Sequence, residues 1–285
     1  MRSPPHSPAR PILRPRKSLG QNFLVDRGVA RDIVAAAAPL SDADVLEIGP
    51  GRGALTAALL REARRVTAVE KDRGLAELAR RRFSRDGLVL IEGDILRLDW
   101  SAIVPPDSSD TRIVVVSNLP YNISKPLAMK LVAERARIAR AVLTLQREVA
   151  DRLVARPGSR DYGALGILVG QAFEVERLFD VPPGAFRPRP KVVSSVTRWR
   201  SRGPLALTAA GEHALRACLA ASFRQRRRTL YNNLRRALPD GDRGARALLE
   251  EAGLDGSSRP EAVTPEGFLR LARAWPHANP RDARR

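Results

Sequence analysis

The chain has 285 residues, a formal net charge of +19, pI ≈ 11.4 and 44% hydrophobic residues. This length and apolar content suit one large domain plus a small one, and the charge points to a polyanionic partner, nucleic acid first. One cysteine (Cys218) and three scattered histidines (His6, His213, His277) exclude a disulfide framework, a cysteine-rich zinc site and a histidine-built metal site, so no metal is expected.

Arginine dominates the basic residues, as a GC-rich genome would write it, but exchanging Lys for Arg does not create such an excess of charge. No apolar run of about 18 residues marks a membrane span. No apolar signal core opens the chain, so a reducing, cytoplasmic setting is expected.

Residues 1–17 hold five prolines, five basic residues and no acid, and residues 1–16 are expected to form a disordered basic tail. Gly20, Gln21 and Asn22, then Phe23 and Leu24, make a short irregular segment before a helix that ends near Pro39. Such a segment either lies over a ligand or tucks onto the core.

Residues 45–63 read as strand, glycine-rich turn and helix. Gly49, Gly51 and Gly53 let the backbone approach a ligand ahead of a helix amino terminus. The spacing is Gly-x-Gly-x-Gly rather than that of dinucleotide sites. Glu47, just before it, suits the ammonium of an amino-acid-bearing cofactor and disfavours a pyrophosphate. A strand over 66–69 ends in Glu70, an acid about 20 residues past the loop, where ribose hydroxyls are held. A third strand over 88–91 leads to Asp94, placed to accept a cofactor's adenine amine. Acids at the ends of successive strands, in a β-α-β-α rhythm, argue for a parallel, doubly wound sheet.

Residues 105–110 form a turn-rich loop. The β-branched run Val114, Val115, Val116 marks a buried fourth strand. It leads into Asn118-Leu119-Pro120-Tyr121, where proline forces a turn at the strand's carboxyl end, the place where open α/β sheets bind ligands. This tetrapeptide resembles the (Asn/Asp/Ser)-x-Pro-(Tyr/Phe) signature of methyltransferases that modify an exocyclic amine. The Asn118 carbonyl and the backbone carbonyl of Leu119 or Pro120 would accept the two amine hydrogens and localise the nitrogen lone pair. Tyr121 would stack on the base.

Helix is expected over 127–134, strand over 139–145, helix over 147–155, and helix passing to strand over 162–175. The proline-rich stretch 181–192 (Pro182, Pro183, Pro188, Pro190) holds Phe186 among cations. Its ring is either presented stiffly to a flipped-out base or anchors the loop to the core. From about residue 204 the pattern is helical in short segments. Arg224-Gln225-Arg226-Arg227-Arg228, between Leu219, Phe223 and Leu230, Leu234, predicts a basic helical face. The stretch from 205 carries fifteen basic and nine acidic residues and reads as an RNA-backbone platform. Residues after 276 are expected to fray.

Taken together, several motifs in order are similar to the small-subunit (16S-type) ribosomal RNA adenine N(6)-dimethyltransferase family. They are Ser18 to Leu24, Glu47-Ile48-Gly49-Pro50-Gly51, Asn118 to Ser124, Leu145 to Val149, Pro183 to Phe186 and Arg226 to Leu230. The resemblance implies a Rossmann-like methyltransferase domain over 17–203 and a small all-α RNA-binding domain over 204–285. It implies S-adenosyl-L-methionine as donor, held by Asn22, Leu24, Gly49, Glu70, Asp94 and Asn118. Residues Asn118, Leu119, Pro120 and Tyr121 would hold the target amine, with Phe186 beside the base.

The implied substrate is a pair of adjacent adenosines in a hairpin loop near the 3′ end of small-subunit rRNA. Each would be dimethylated by a monomeric enzyme on an immature subunit. Arg52 and Lys71 stand where aliphatic residues are usual, Lys125 where a small hydroxyl residue is, and Gly184 where serine is common. Leu119-Pro120-Tyr121, where the resistance methylases usually carry Ile-Pro-Phe, favours the small-subunit reading over the alternative of a large-subunit rRNA adenine methylase of the resistance type. A catalytically idle assembly factor is the other alternative.

Overall fold

The computed structural model describes residues 20–103, 112–203 and 207–276. The basic tail, the Ser18-Leu19 half of the first motif, the 105–110 loop, the start of the small domain at 204 and the end after 276 lie outside the described residues.

The main sheet has seven strands. In chain order they are β2 (Asp44–Ile48), β3 (Arg65–Glu70), β4 (Val89–Glu92), β5 (Ile113–Asn118), β6 (Ile138–Gln146), β7 (Phe173–Val181) and β9 (Ser194–Ser201), in the order β4-β3-β2-β5-β6-β9-β7. A two-residue ribbon joins β1 (Phe23–Leu24) to β8 (Phe186–Arg187), antiparallel. Strands β4 to β6 pair in parallel, as the β-α rhythm predicts. The last two, β9 and β7, are antiparallel. The parallel expectation therefore holds for five strands and gives way at one edge.

The helices between them are α1 (Arg27–Ala36), α2 (Thr56–Glu62), α3 (Arg73–Phe83), α4 (Trp100–Ile103), α5 (Ser124–Ala133), α6 (Arg147–Val154) and α7 (Ala164–Ala172). Asp26 and Asp72 cap α1 and α3 by accepting two backbone N–H bonds each. Alternate residues of β5 explain its unbroken apolar run. Val115 joins the core on one face of the sheet with Leu46, Leu143 and Trp199, while Val114 and Val116 join the other with Val45, Val142 and Ile33. A strand covered on both faces has no polar side to show.

A third core builds the small lobe from α8 (Ala209–Ser222), α9 (Leu230–Leu234), α10 (Gly241–Ala252) and α11 (Pro265–Arg273) around Cys218, Leu219, Leu234 and Phe268. Tyr162 and Ile167 belong to this core too, so α7 forms the seam between the lobes. Residues 224–228 are not helical. They form a turn between α8 and α9, and the basic helical face expected there does not exist. None of the helices is long and apolar enough to cross a membrane, among the described residues.

Candidate active site at the carboxyl ends of β2 to β5

A cleft with about 980 Å³ of non-atom space, part of it open to solvent, lies over the carboxyl ends of the first four parallel strands. Asn22, Leu24, Gly49, Glu70, Asp94, Asn118 and Pro120 line it, together with Glu47 and Lys71. The parallel strands bring Glu47, Gly49, Glu70, Asp94 and Asn118 there by ending at the same level of the sheet, and the β1 segment adds Asn22 and Leu24.

The floor is the glycine turn. Gly49 and Gly51 have φ of +69° and +55°, a left-handed conformation that favours glycine, and Gly49 has open space where a Cβ would stand. The Gly49 N–H donates to the Val69 carbonyl at 2.9 Å, which ties the turn to β3. Glu70 clamps the same turn. Its Oε2 accepts the Gly51 N–H at 3.1 Å and its Oε1 the Asp72 N–H at 2.9 Å. Asp94 accepts from the Leu96 N–H at 3.0 Å and pairs with Lys71 Nζ at 2.9 Å.

The Asn118 Nδ2 donates to the Asn22 carbonyl at 3.1 Å. This bond joins the turn after β5 to the irregular segment before α1 and sets the carboxamide's orientation. No donor among the described residues reaches Asn118 Oδ1. Behind it, Ser117 Oγ donates to the Ile48 carbonyl at 2.5 Å and locks β5 to β2. The Pro120 carbonyl accepts the Ile123 N–H at 3.2 Å, whereas the Leu119 carbonyl has no donor among the described residues. Tyr121 is half-buried, and its hydroxyl shares a hydrogen bond of 2.7 Å with Ser194 Oγ. Burial raises the Tyr121 pKa, and Ser194 partly offsets this.

With the glycine turn, the acids at the strand ends and the polar turn after β5 in one cleft, similarity to known proteins becomes decisive. The family model for ribosomal RNA adenine dimethylase matches residues 12–274. The chain belongs to the ribosomal RNA adenine dimethylase family. It is 45% identical over 262 residues to a Magnetococcus marinus protein named ribosomal RNA small subunit methyltransferase A, covering 91% of each chain. An Aromatoleum aromaticum protein of the same name is 40% identical over 268 residues, 94% of this chain and 97% of that one.

Among solved structures, a dimethyladenosine transferase from Plasmodium falciparum superposes with a TM-score of 0.74 at 27% identity, over 87% of this chain and 95% of that one. The 23S rRNA methyltransferase ErmE gives 0.65 at 31% identity, over 89% and 99%. The family's members are methyltransferases that use S-adenosyl-L-methionine, and so is this chain.

The cleft fits such a donor. Glu47 is 1% exposed and lines it, and its Oε2 is buried without a hydrogen-bond partner. An unpartnered carboxyl oxygen inside a cleft suits a ligand's ammonium group. Burial pushes the Glu47 carboxyl up to about 8; neighbouring Thr56 pulls it down and the Glu70 charge adds to the rise. Burial also raises Glu70, against the pull of the Asp72 and Gly51 amides. At Asp94 partial burial acts upward, but Lys71, the Leu96 N–H and Arg97 outweigh it and hold the carboxyl low.

Two expectations about side chains change. Phe186 is 1% exposed, pairs with Leu24 across the β1–β8 ribbon and belongs to the core with Val181, Ala185 and Val196. It is not presented to a base. Its ring backs the strand that carries Leu24 to the cleft, because burying that apolar surface outweighs displaying it. The Leu119 side chain is likewise core, 3% exposed, and neither Leu119 nor Tyr121 is among the residues that line the cleft. Sequence reasoning missed Ser194, which lies 73 positions from Tyr121 with no local signal. It also missed the Lys71–Asp94 pair.

Proposed function

We propose that this enzyme dimethylates the exocyclic amines of two adjacent adenosines in a hairpin loop near the 3′ end of small-subunit rRNA, acting as a monomer on an immature subunit in the cytoplasm. The carrying observation is the Asn118 carboxamide, anchored through Nδ2 with Oδ1 free, on the wall of the cleft that Glu47, Gly49, Glu70 and Asp94 line. The relatives' names support the small subunit, at higher identity than the large-subunit enzyme ErmE shares with this chain.

S-adenosyl-L-methionine, when bound, supplies an electrophilic methyl group on its sulfonium. The chain's residues do the rest. Asn22, Leu24 and Gly49 would cradle the donor, Glu70 would accept from its ribose hydroxyls, Asp94 from its adenine amine, and Glu47 would take its ammonium. Asn118 Oδ1 and the Leu119 carbonyl accept the two hydrogens of the target amine; the Pro120 carbonyl is already engaged by Ile123. This draws the nitrogen lone pair out of conjugation with the ring. Tyr121, held by Ser194, provides the stacking face. As the N–C bond forms the S–C bond would break, leaving a neutral thioether; the nitrogen, then positively charged, would lose a proton to solvent, so no strong base is needed.

Residues 17–203 form the methyltransferase domain and 204–285 the RNA-binding domain. In the latter the 224–228 turn, not a helix, offers the cations. Tritiated-methyl transfer to isolated immature small subunits, compared with large-subunit rRNA, tests the proposal. Transfer to small subunits, with dimethyladenosine found at two neighbouring positions by mass spectrometry, is expected. Transfer confined to large-subunit RNA, or none at all, refutes it.

A further inference from the structure

The 224–228 turn carries four arginines within five residues, a density of like charge that repels itself and has no reason to hold one shape. Yet it is held. Asn233, on α9, is 2% exposed and directs its whole carboxamide at the turn. Its Oδ1 accepts the Gln225 N–H at 3.2 Å. Its Nδ2 points at the carbonyls of Gln225 at 3.1 Å, Thr229 at 3.2 Å and Arg228 at 3.4 Å. One buried side chain therefore supplies hydrogen bonds that a helix or strand would otherwise supply.

The arginines then divide. Arg226 turns back onto the methyltransferase lobe, where its Nη2 donates to the Arg160 carbonyl and, at 2.9 Å, to the Tyr162 carbonyl. Those carbonyls belong to the turn that leads into α7, the seam between the lobes. Arg224, Arg226 and Arg227 are all exposed and Arg228 is half-buried, but the guanidinium groups of Arg224, Arg227 and Arg228, unlike that of Arg226, have no hydrogen bond or ion pair among the described residues. In a chain that otherwise ties many arginines to Asp or Glu, three unpartnered guanidiniums on a clamped turn form a cationic surface whose backbone is already fixed. A fixed backbone lowers the ordering cost of binding phosphates, leaving only the side chains to be ordered.

We propose that Asn233 is a positioning residue for RNA. Its clamp fixes the backbone from which Arg224, Arg227 and Arg228 reach backbone phosphates, while Arg226 serves as the tie that fixes this surface to the catalytic lobe. The inference rests on the rRNA reading above and adds to it which side chain builds the docking surface and which arginine does not touch RNA.

The experiment measures binding of the full-length protein to small-subunit rRNA over a range of salt concentrations, with calorimetry of donor binding as the check on the catalytic lobe. Asn233→Asp keeps the size and the acceptor but removes the donor. It is expected to bind RNA at least about tenfold more weakly at 0.1 M salt, with a shallower salt slope, and to bind donor as the wild type does. Arg227→Ala is expected to lower the slope by about one. In a variant lacking Arg224, Arg227 and Arg228, adding Asn233→Asp is expected to change nothing further, because the clamp acts through those arginines.

Arg226→Met leaves the small lobe's core intact, so it stays informative if Asn233→Asp proves unstable. It is expected to weaken RNA binding with the slope unchanged. Wild-type affinity and slope in Asn233→Asp, full additivity with the triple variant, or a slope loss in Arg226→Met equal to that of Arg227→Ala would each overturn the proposal. Wild-type protein without salt-dependent affinity for rRNA would instead sink the underlying reading, and the clamp with it.

Discussion

If Glu47 takes the donor's ammonium as proposed, donor binding is a proton-linked event. In the empty cleft its carboxyl is raised to about 8, first by burial, so at neutral pH it is largely protonated. An arriving ammonium favours the ionised form, so binding releases a proton. The sign follows: affinity rises with pH up to about 8 and levels there, since above it the carboxylate is already formed. Each pH unit below 8 costs up to about 1.4 kcal/mol, or tenfold in affinity. Between pH 8 and pH 6 the wild type is expected to lose up to about a hundredfold in donor affinity by this route.

Glu47→Gln cannot ionise. It should bind more weakly at pH 8 and lose most of this pH dependence, retaining only the part due to Glu70, whose carboxyl is also raised. Calorimetry at pH 6.5, in two buffers of different ionisation enthalpy, counts the protons directly. About one proton released by the wild type and a clear drop in Glu47→Gln are expected. Equal proton release in the two proteins, or an affinity flat from pH 6 to 8 in the wild type, would refute the reasoning.

Asn118→Ala removes an acceptor that acts on the reacting nitrogen. Methyl transfer should fall by about 10²–10³-fold with rRNA affinity within about twofold, read from single-turnover kinetics and filter binding. Glu70→Ala strips the Gly51 and Asp72 N–H groups of their acceptor and the donor of its proposed ribose contact. Donor affinity should weaken by about 1.5–3 kcal/mol with RNA binding unchanged, and unchanged donor calorimetry would defeat that role. Phe186→Ala opens a cavity under β1 and should cost about 3–5 kcal/mol of stability, seen as a lower Tm, along with weaker donor binding through Leu24. A lost turnover rate at wild-type Tm and donor affinity would instead return Phe186 to the base.

The residues that speak for themselves in the sequence are those whose role is set within a few positions of the chain. Val114 to Val116 announce a strand buried on both faces. The positive φ of Gly49 and Gly51 follows from a turn only glycine takes easily. Glu70, Asp94 and Asn118 each stand at or just beyond a strand's end, and parallel strands share one carboxyl edge, so their convergence on the cleft was readable from spacing.

What tertiary structure decided depends on partners far apart in sequence. Proline around Phe186 signals a stiff loop but is silent on direction. Pairing of Leu24 with Phe186 turned the ring inward. Alternating charge and apolar positions around 224–228 satisfy a helix pattern locally, yet Asn233 took the backbone's hydrogen bonds and made a turn of it. Strand β9 lies antiparallel because it enters the sheet beside β6 from the opposite direction, which no period of its own residues encodes. Periodicity reports which face of an element is apolar; only the assembled chain determines what covers that face, and therefore which polar groups remain free to act.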